Sequence, residues 1–115
     1  MARTIYHLCR RKDWQAAEAA GAYAGAVEDR ADGFLHFSTA GQIVESARRH
    51  RAGEPDLMLL TVDAADLGPA LRWEASRDGA LFPHLYADLP LAAVRRATAL
   101  PLDAAGRHVF PALED

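Results

Sequence analysis

Three histidines in predicted β-strands, His7, His36 and His84, are the side chains best suited to chemistry in this chain. An unperturbed imidazole titrates near neutral pH, so it can serve as an acid, a base or a charged binding group. Each ring lies in a short run with strand-like alternation. If the fold brings these strands together, the three histidines line a common pocket.

Two hydroxyl side chains, Ser38 and Thr39, follow His36 at the predicted start of a helix. Thr39-Ala-Gly-Gln42 fits a capping box, in which the Thr and Gln side chains bond to each other's backbone amides. The same helix start offers free amides and a positive dipole to an anion. Two interpretations remain open: the hydroxyls cap the helix, or they and the first amides hold a phosphate or pyrophosphate.

A predicted hairpin around Asp78-Gly79 carries Glu74 on its first strand and His84 and Tyr86 on its second. A two-residue loop would pair Glu74 with Pro83 and turn it away from His84. A shift of one residue would bring Glu74 and His84 together, and the sequence leaves this register open. Pro83 lacks an amide proton and therefore predicts an edge strand or a local irregularity.

The elements that carry these residues mix strands and helices within one domain of 115 residues. Residues 22–32 have no clear period and predict a loop. The irregular order of elements predicts an α+β fold on a twisted, largely antiparallel sheet with two short helices in the N-terminal half. The predicted helices are one that Asp13 caps and Gly21 ends, and one over 40–51 with Ala40, Ile43, Val44 and Ala47 inward. The predicted strands cover 4–9, 34–38, 57–62, 71–76, 81–86 and 94–100.

Composition excludes several classes of function. With 13 basic and 16 acidic residues, the net charge of -3 argues against general nucleic-acid binding. No apolar segment is long enough to cross a membrane, and no signal peptide is apparent. The single cysteine, Cys9, predicts a buried apolar residue and no disulfide. These features predict a cytoplasmic protein. The GxxxxGK[ST], GxGxxG, HExxH and GxSxG motifs are absent, which removes the most easily recognised kinases, dehydrogenases and hydrolases.

Several stretches in order resemble a small bacterial family catalogued as a domain of unknown function, number nine hundred and fifty-two. The resemblance spans about residues 3–102 and leaves 103–115 as a C-terminal tail. After the last stretch the family usually continues with glycine, whereas this chain has Ala87-Asp88. The stretches are Ile-Tyr-His-Leu-Cys (5–9), Trp14 with Gly21 and Tyr23, Gly-Phe-Leu-His-Phe-Ser-Thr (33–39) with Gln42, Leu57 to Asp63, Arg-Trp-Glu (72–74) and Phe-Pro-His-Leu-Tyr (82–86).

The resemblance implies a fold grouped with ADP-ribosyltransferase-like domains, in which NAD is the usual substrate. In such folds a first-strand histidine contacts a ribose of NAD, which His7 matches by position. A second-strand hydroxyl or aromatic residue supports the pocket, as Ser38 could, and a later glutamate orients the other ribose, as Glu74 could. One relative, which moves a phosphate from RNA onto NAD, uses histidines and arginines instead.

We therefore expect a transferase or glycohydrolase that uses NAD or another nucleotide as substrate and holds no tightly bound cofactor. His36 or His84 would act as acid or base, and Glu74 would stabilise an oxocarbenium-like centre. His7, Ser38, Thr39 and Tyr86 would bind the ligand. Two alternatives remain: a non-catalytic module that binds a nucleotide or small anion in the same pocket, and a zinc site of three histidines. The sequence identifies neither the acceptor nor the oligomeric state.

Overall fold

The computed structural model describes residues 3–115, apart from the side chain of Arg77, and confirms the α+β class. Short 3-10 turns join several of the later elements. The α-helices are α1 (Arg11–Ala20), α2 (Val27–Asp32) and α3 (Ala40–His50). The strands are β1 (Thr4–Arg10), β2 (Ala22–Tyr23), β3 (Leu35–His36), β4 (Ser38–Thr39), β5 (Leu57–Asp63), β6 (Leu71–Ala75), β7 (Leu81–Leu85), β8 (Leu89–Pro90) and β9 (Val94–Leu100).

The described strands pair antiparallel in three sheets. A four-stranded sheet has the order β4-β1-β5-β9, a three-stranded sheet the order β3-β7-β6, and β2 pairs with β8. All seven residues of β5 are buried, as expected when a strand with a nearly continuous apolar sequence is covered on both faces. The four-stranded sheet therefore has a hydrophobic core on each face.

The two cores use alternate residues of the central strands, as the pleat requires. On one face Ile5 and Leu60 belong to a large cluster that includes Ala17 of α1. On the other face Tyr6 and Leu59 belong to a smaller cluster that includes Ile43 of α3. Phe110 and Leu113 from the C-terminal segment pack against this second cluster.

The two predicted helices form, with corrections at their details. Helix α1 begins at Arg11, with Arg10 as its N-cap, so the prediction that Asp13 caps it is wrong. Gly21 ends this helix as predicted, in a left-handed conformation with φ of 88°. In α3, Val44 is 52% exposed, so the prediction that it faces the core is wrong. In the part of the chain described, no helix is long and apolar enough to cross a bilayer.

The prediction of a loop over 22–32 is wrong, because this segment forms β2 and an additional helix, α2, that the sequence did not predict. The N-cap of α2 is Ala26, which carries no capping hydroxyl, so the usual sequence signal is missing. Instead the Ala26 amide donates to Asp29 Oδ2 at 2.7 Å. Gly33 ends the helix with φ of 86°.

The predicted strand over 34–38 is interrupted at Phe37, so that its two halves belong to different sheets. His36 lies on β3 in the three-stranded sheet, whereas Ser38 lies on β4 in the four-stranded sheet. A single strand over 34–38 would have placed these two residues on one sheet face, and the prediction of that single strand is therefore wrong. The chain changes sheets at this point because β3 pairs with β7 and β4 pairs with β1.

Pro83 does not mark an edge strand, because β7 lies between β3 and β6. The Pro83 carbonyl accepts a hydrogen bond from the Phe37 amide at 3.0 Å. The amide and carbonyl of one strand residue point to the same side, so the missing proton of Pro83 would also face Phe37. The ladder ends there, and the proline costs no regular strand pairing.

Leu60 lies fully buried on β5 and tests whether this strand anchors the core. We expect Leu60→Ala to lower the free energy of unfolding by about 2–5 kcal/mol, because it leaves a cavity in packed surroundings. Leu81→Ala removes the same atoms from a side chain that is 55% exposed. That control should change stability by less than about 0.5 kcal/mol. Urea denaturation measures both, and equal losses would contradict the assignment.

Candidate functional site

A cavity of about 330 Å³ opens where β3 and β4 part into different sheets. Apolar side chains such as Phe37 and Ile43 form part of its wall. Its polar lining includes His7, Asp29, Asp32, His36, Ser38 and His84. The volume lies at the lower end of the range for small-molecule sites. The structure therefore brings the three histidines to one cavity.

The histidine rings lie close together because of strand register. His36 and His84 are direct partners across β3 and β7, and their ring centroids are 5.9 Å apart. His7 reaches them from β1, where its Nδ1 lies 2.6 Å from the His36 carbonyl oxygen. Phe34 stacks on the His84 ring at 4.1 Å and contacts the His36 ring at 4.6 Å, and thereby fixes the spacing of the pair.

His7 is buried, and both of its ring nitrogens bond to protein groups. Nδ1 donates to the His36 carbonyl, since a carbonyl can only accept, and Nε2 lies 2.9 Å from the Tyr23 hydroxyl. Burial lowers the pKa of His7, so the ring is neutral and Nε2 accepts from Tyr23. In this arrangement His7 supports the cavity wall and offers no free ring nitrogen to a ribose.

His36 lies between two carboxylates. Its Nδ1 donates to Asp29 Oδ1 at 2.7 Å, and its Nε2 donates to Asp32 Oδ2 at 2.8 Å. The hydrogen bond to Asp29 raises the pKa of His36 above its ordinary value, against the effect of partial burial. Because ionised carboxylates only accept, this geometry fits an imidazolium with both nitrogens protonated.

Asp29 is the buried residue that organises this arrangement. Its Oδ1 also accepts from the His36 amide at 3.0 Å, and its Oδ2 lies 3.9 Å from His7 Nε2. Burial acts to raise the pKa of Asp29, but the hydrogen bonds from His36 and Ala26 outweigh burial and hold it at about 2. Gly25 leaves room for this carboxylate, because a Cβ there would lie 2.8 Å from the Asp29 Cβ.

Glu74 and His84 are in contact, which settles the register that the sequence left open. The Ser76 amide donates to the Ala80 carbonyl, which leaves three loop residues, 77–79, and Glu74 pairs with Phe82 rather than with Pro83. This places Glu74 diagonally beside His84 on one face, and His84 Nδ1 donates to Glu74 Oε1 at 2.8 Å. Among the described residues, His84 Nε2 has no hydrogen-bond partner.

Tyr86 completes this pair from outside the cavity. Its hydroxyl donates to Glu74 Oε1 at 2.7 Å, and Arg72 lies 4.9 Å from the centroid of its ring. The Tyr86 hydroxyl and the His84 ring together lower the pKa of Glu74. Glu74 and Tyr86 do not line the cavity, and Glu74 is linked to it through its bond to His84.

Ser38 and Thr39 are both buried and bonded within the protein. Ser38 Oγ lies 3.0 Å from Ser46 Oγ of α3, and Ser38 lines the cavity. The Thr39 amide donates to Gln42 Oε1 at 3.0 Å, as the predicted capping box requires. Thr39 does not line the cavity, so the capping interpretation fits it better than phosphate contact.

A zinc site of three histidines does not fit this geometry. Both nitrogens of His7 bond to protein groups, and both nitrogens of His36 bond to carboxylates. Within residues 3–115 no group of three or more potential ligands is placed to hold a metal ion.

Cys9 is buried as expected, and burial raises the pKa of its thiol to about 12.

Sequence reasoning missed Asp29, Asp32 and Tyr23 as parts of the site. All three lie within residues 22–32, for which a loop was predicted. Two signals were present: consecutive acidic residues, which favour the first turn of a helix, and Gly33 at its end. They were overlooked because a six-residue helix has too few turns to show a hydrophobic period.

Comparisons with known proteins found a family and one structurally characterised relative. The model of the family described as "Protein of unknown function (DUF952)" matches residues 8–97. The crystal structure of protein CC0527 from Caulobacter crescentus is 45% identical, with a TM-score of 0.89 over 92% of this chain and 93% of that one. Its solution NMR structure is 46% identical, with a TM-score of 0.81 over 90% of each chain. No curated protein matches significantly.

Asp29→Asn tests the source of the His36 charge. The variant should lower the pKa of His36 in an NMR titration of the ring signals, because the strongest hydrogen bond to the imidazolium loses its charge. Asp103→Asn is the matched control, since Asp103 accepts backbone amides and, within the described part of the chain, forms no hydrogen bond to a histidine. An unchanged His36 titration in Asp29→Asn would contradict the assignment.

The two shifted histidines should also give stability opposite dependences on pH. His36, with a raised pKa, contributes stability that is complete below about 6.5 and is lost as pH rises through the folded pKa. His7, with a lowered pKa, contributes stability above about 6.5 that is lost as pH falls through its folded pKa. The His36→Gln variant should no longer lose stability as pH rises, but it should keep the loss as pH falls. Urea denaturation at several pH values measures both.

Proposed function

Since this chain belongs to the DUF952 family of proteins of unknown function, we propose an activity from the site itself. The proposed enzyme is ADP-ribosyltransferase-like: it breaks the N-glycosyl bond of NAD or a related nucleotide and passes the glycosyl group to water or to an acceptor. The observation that carries this proposal is the Glu74–His84 pair beside His36. One imidazole is oriented by a carboxylate, and its neighbour is held as a cation. Paired groups with different environments are typical of acid–base sites.

His84 is the proposed base. With Nδ1 donating to Glu74, the neutral ring carries its lone pair on Nε2, and the ring lines the cavity. A water or an acceptor hydroxyl would attack C1′ of the ribose and give its proton to Nε2. The bond between C1′ and the nicotinamide nitrogen breaks, and nicotinamide leaves neutral with the electron pair. Hydrolysis then gives nicotinamide, ADP-ribose and one proton.

The charges around the rings favour glycosyl transfer over phosphoryl transfer. Three carboxylates contact the two imidazoles: Asp29 and Asp32 on His36, and Glu74 on His84. Such surroundings stabilise the positive charge of an oxocarbenium-like transition state. They would repel a metaphosphate-like centre, which needs cations around it. Glu74 therefore has a positioning role in place of the direct contact expected from the sequence.

The size of the cavity and its place between two sheets also support an ADP-ribosyltransferase-like enzyme. A volume of about 330 Å³ suits a nicotinamide riboside group, so the adenosine part of a dinucleotide would extend along the surface. Two antiparallel sheets with a cavity at their junction suit an ADP-ribosyltransferase-like fold. We place such an enzyme in the cytoplasm, with NAD as substrate rather than as a bound cofactor.

The test measures nicotinamide release from NAD together with NMR shifts of the histidine ring signals. We expect saturable shifts at His36 and His84, and His84→Gln should lower the rate by about 10²–10⁴-fold. His108→Gln is the matched control, because His108 bonds to the Glu54 carbonyl outside the cavity. Saturable shifts without release would favour the non-catalytic binding module, and no shifts at millimolar NAD would exclude NAD.

A second variant separates positioning by Glu74 from a purely structural role. In Glu74→Gln we expect slower release, and we expect the ring ¹⁵N shifts of His84 to show a mixture of tautomers. The melting temperature should change little, because Glu74 is more than a third exposed. A single unchanged tautomer in the variant would contradict the positioning role.

A further inference from the structure

Four charged side chains form a cluster at one side of the cavity, outside the histidine site. Arg10 at the end of β1 donates to both oxygens of Glu28, from Nη1 at 3.1 Å and from Nη2 at 2.8 Å. Arg51 after α3 donates to Glu28 Oε2 at 2.7 Å. Glu54 accepts from Arg10 Nε at 2.8 Å and lies 3.6 Å from Arg51 Nη1. Two guanidinium groups therefore surround one carboxylate.

The two carboxylates of this cluster differ in how firmly they are held. The Glu28 side chain is 44% exposed, whereas Glu54 is 27% and Arg51 is 14% exposed. Glu28 belongs to α2, a six-residue helix that buries only Asp29. Glu54 thus keeps the guanidinium groups in place from the inner side, and Glu28 covers them from the solvent side. Of the two, Glu28 is the carboxylate that can be exchanged.

The contacts that Glu28 receives are those that recognise a phosphate group. A guanidinium fork binds carboxylate and phosphate oxygens with the same two-point geometry, and a second arginine adds a third donor. Glu28 and Arg51 line the same cavity as His36 and His84. An anion attached to a ligand in that cavity would thus meet this cluster without leaving the pocket.

We propose that Arg10 and Arg51 form a subsite for a phosphate or pyrophosphate group, and that the Glu28 carboxylate occupies this subsite until such an anion displaces it. Glu54 remains bound to the two arginines and leaves one net positive charge for the incoming group. The subsite does not depend on the chemistry at His84, since an anion can bind there whether or not a glycosyl bond is broken.

The proposal predicts that removing the Glu28 charge improves anion binding. We would measure the affinity of the whole chain for inorganic pyrophosphate by calorimetry at constant ionic strength. Glu28→Gln should bind pyrophosphate roughly tenfold more tightly, because a competing charged acceptor has gone. Arg51→Gln and Arg10→Gln should each weaken binding at least about tenfold. Two arginine variants are used so that the result does not depend on the folding of either one.

Glu45→Gln is the matched control. Glu45 also accepts hydrogen bonds from two arginines, Arg48 and Arg49, but it lies on α3 away from the cavity lining. This variant changes the net charge by the same amount and should leave pyrophosphate affinity unchanged. If both variants raise pyrophosphate affinity equally, the change in net charge explains the gain, and the proposal is overturned.

The outcomes for this subsite and for the proposed enzyme are separable. If Glu28→Gln destabilises the fold without any gain in pyrophosphate affinity, the cluster only stabilises the packing of α2 against its neighbours, and the proposal fails. Tighter pyrophosphate binding in Glu28→Gln without nicotinamide release by the wild type would support the subsite and contradict the enzyme. Nicotinamide release combined with unchanged pyrophosphate affinity in Glu28→Gln would do the reverse.

Discussion

The buried carboxylate of Asp29 ties the short helix α2 to the two strands that carry His7 and His36. It accepts three hydrogen bonds, from the Ala26 amide, the His36 amide and the His36 ring. An ionised group can remain buried only when such donors replace its hydration. The helix that begins at Val27 and the orientation of the His36 ring are therefore consequences of one satisfied charge.

The two halves of the site differ in what holds them. His36 is held by the carboxylates of α2. His84 is held by Glu74 on the neighbouring strand of its hairpin and by the stacked ring of Phe34. One ring is thus set by local electrostatics, and the other by strand register. The direct pairing of β3 with β7 joins the halves and brings His36, whose pKa is raised by its bond to Asp29, beside a ring whose Nε2 has no partner among the described residues.

The sequence predicted those parts of the molecule that depend on hydrophobic period and turn chemistry. The apolar run of β5, the Gly21 stop and the Thr39–Gln42 box all follow from local rules, and the structure confirms them. The strand break at Phe37 has no local signal, because it arises from pairing with partners far along the chain.

The site itself shows the same division. His36 and His84 could be selected by residue type and strand position, but their contact depends on tertiary pairing. The position of Glu74 required a choice between hairpin loops of two and three residues, and Asp78-Gly79 is compatible with both. Asp29 was missed because its helix is short and has an alanine at its N-cap.

The hydrogen bonds between Tyr6 and Glu114 bear on how the chain acquires its structure during synthesis. The Tyr6 hydroxyl donates to the Glu114 carbonyl and accepts from the Glu114 amide, across 108 positions of sequence. Leu113 and Phe110 cover the same core face. In a nascent chain this sheet face is therefore covered by α3 alone until Phe110 and Leu113 emerge from the ribosome. This part of the core therefore forms late in synthesis, and contacts of such long range form slowly.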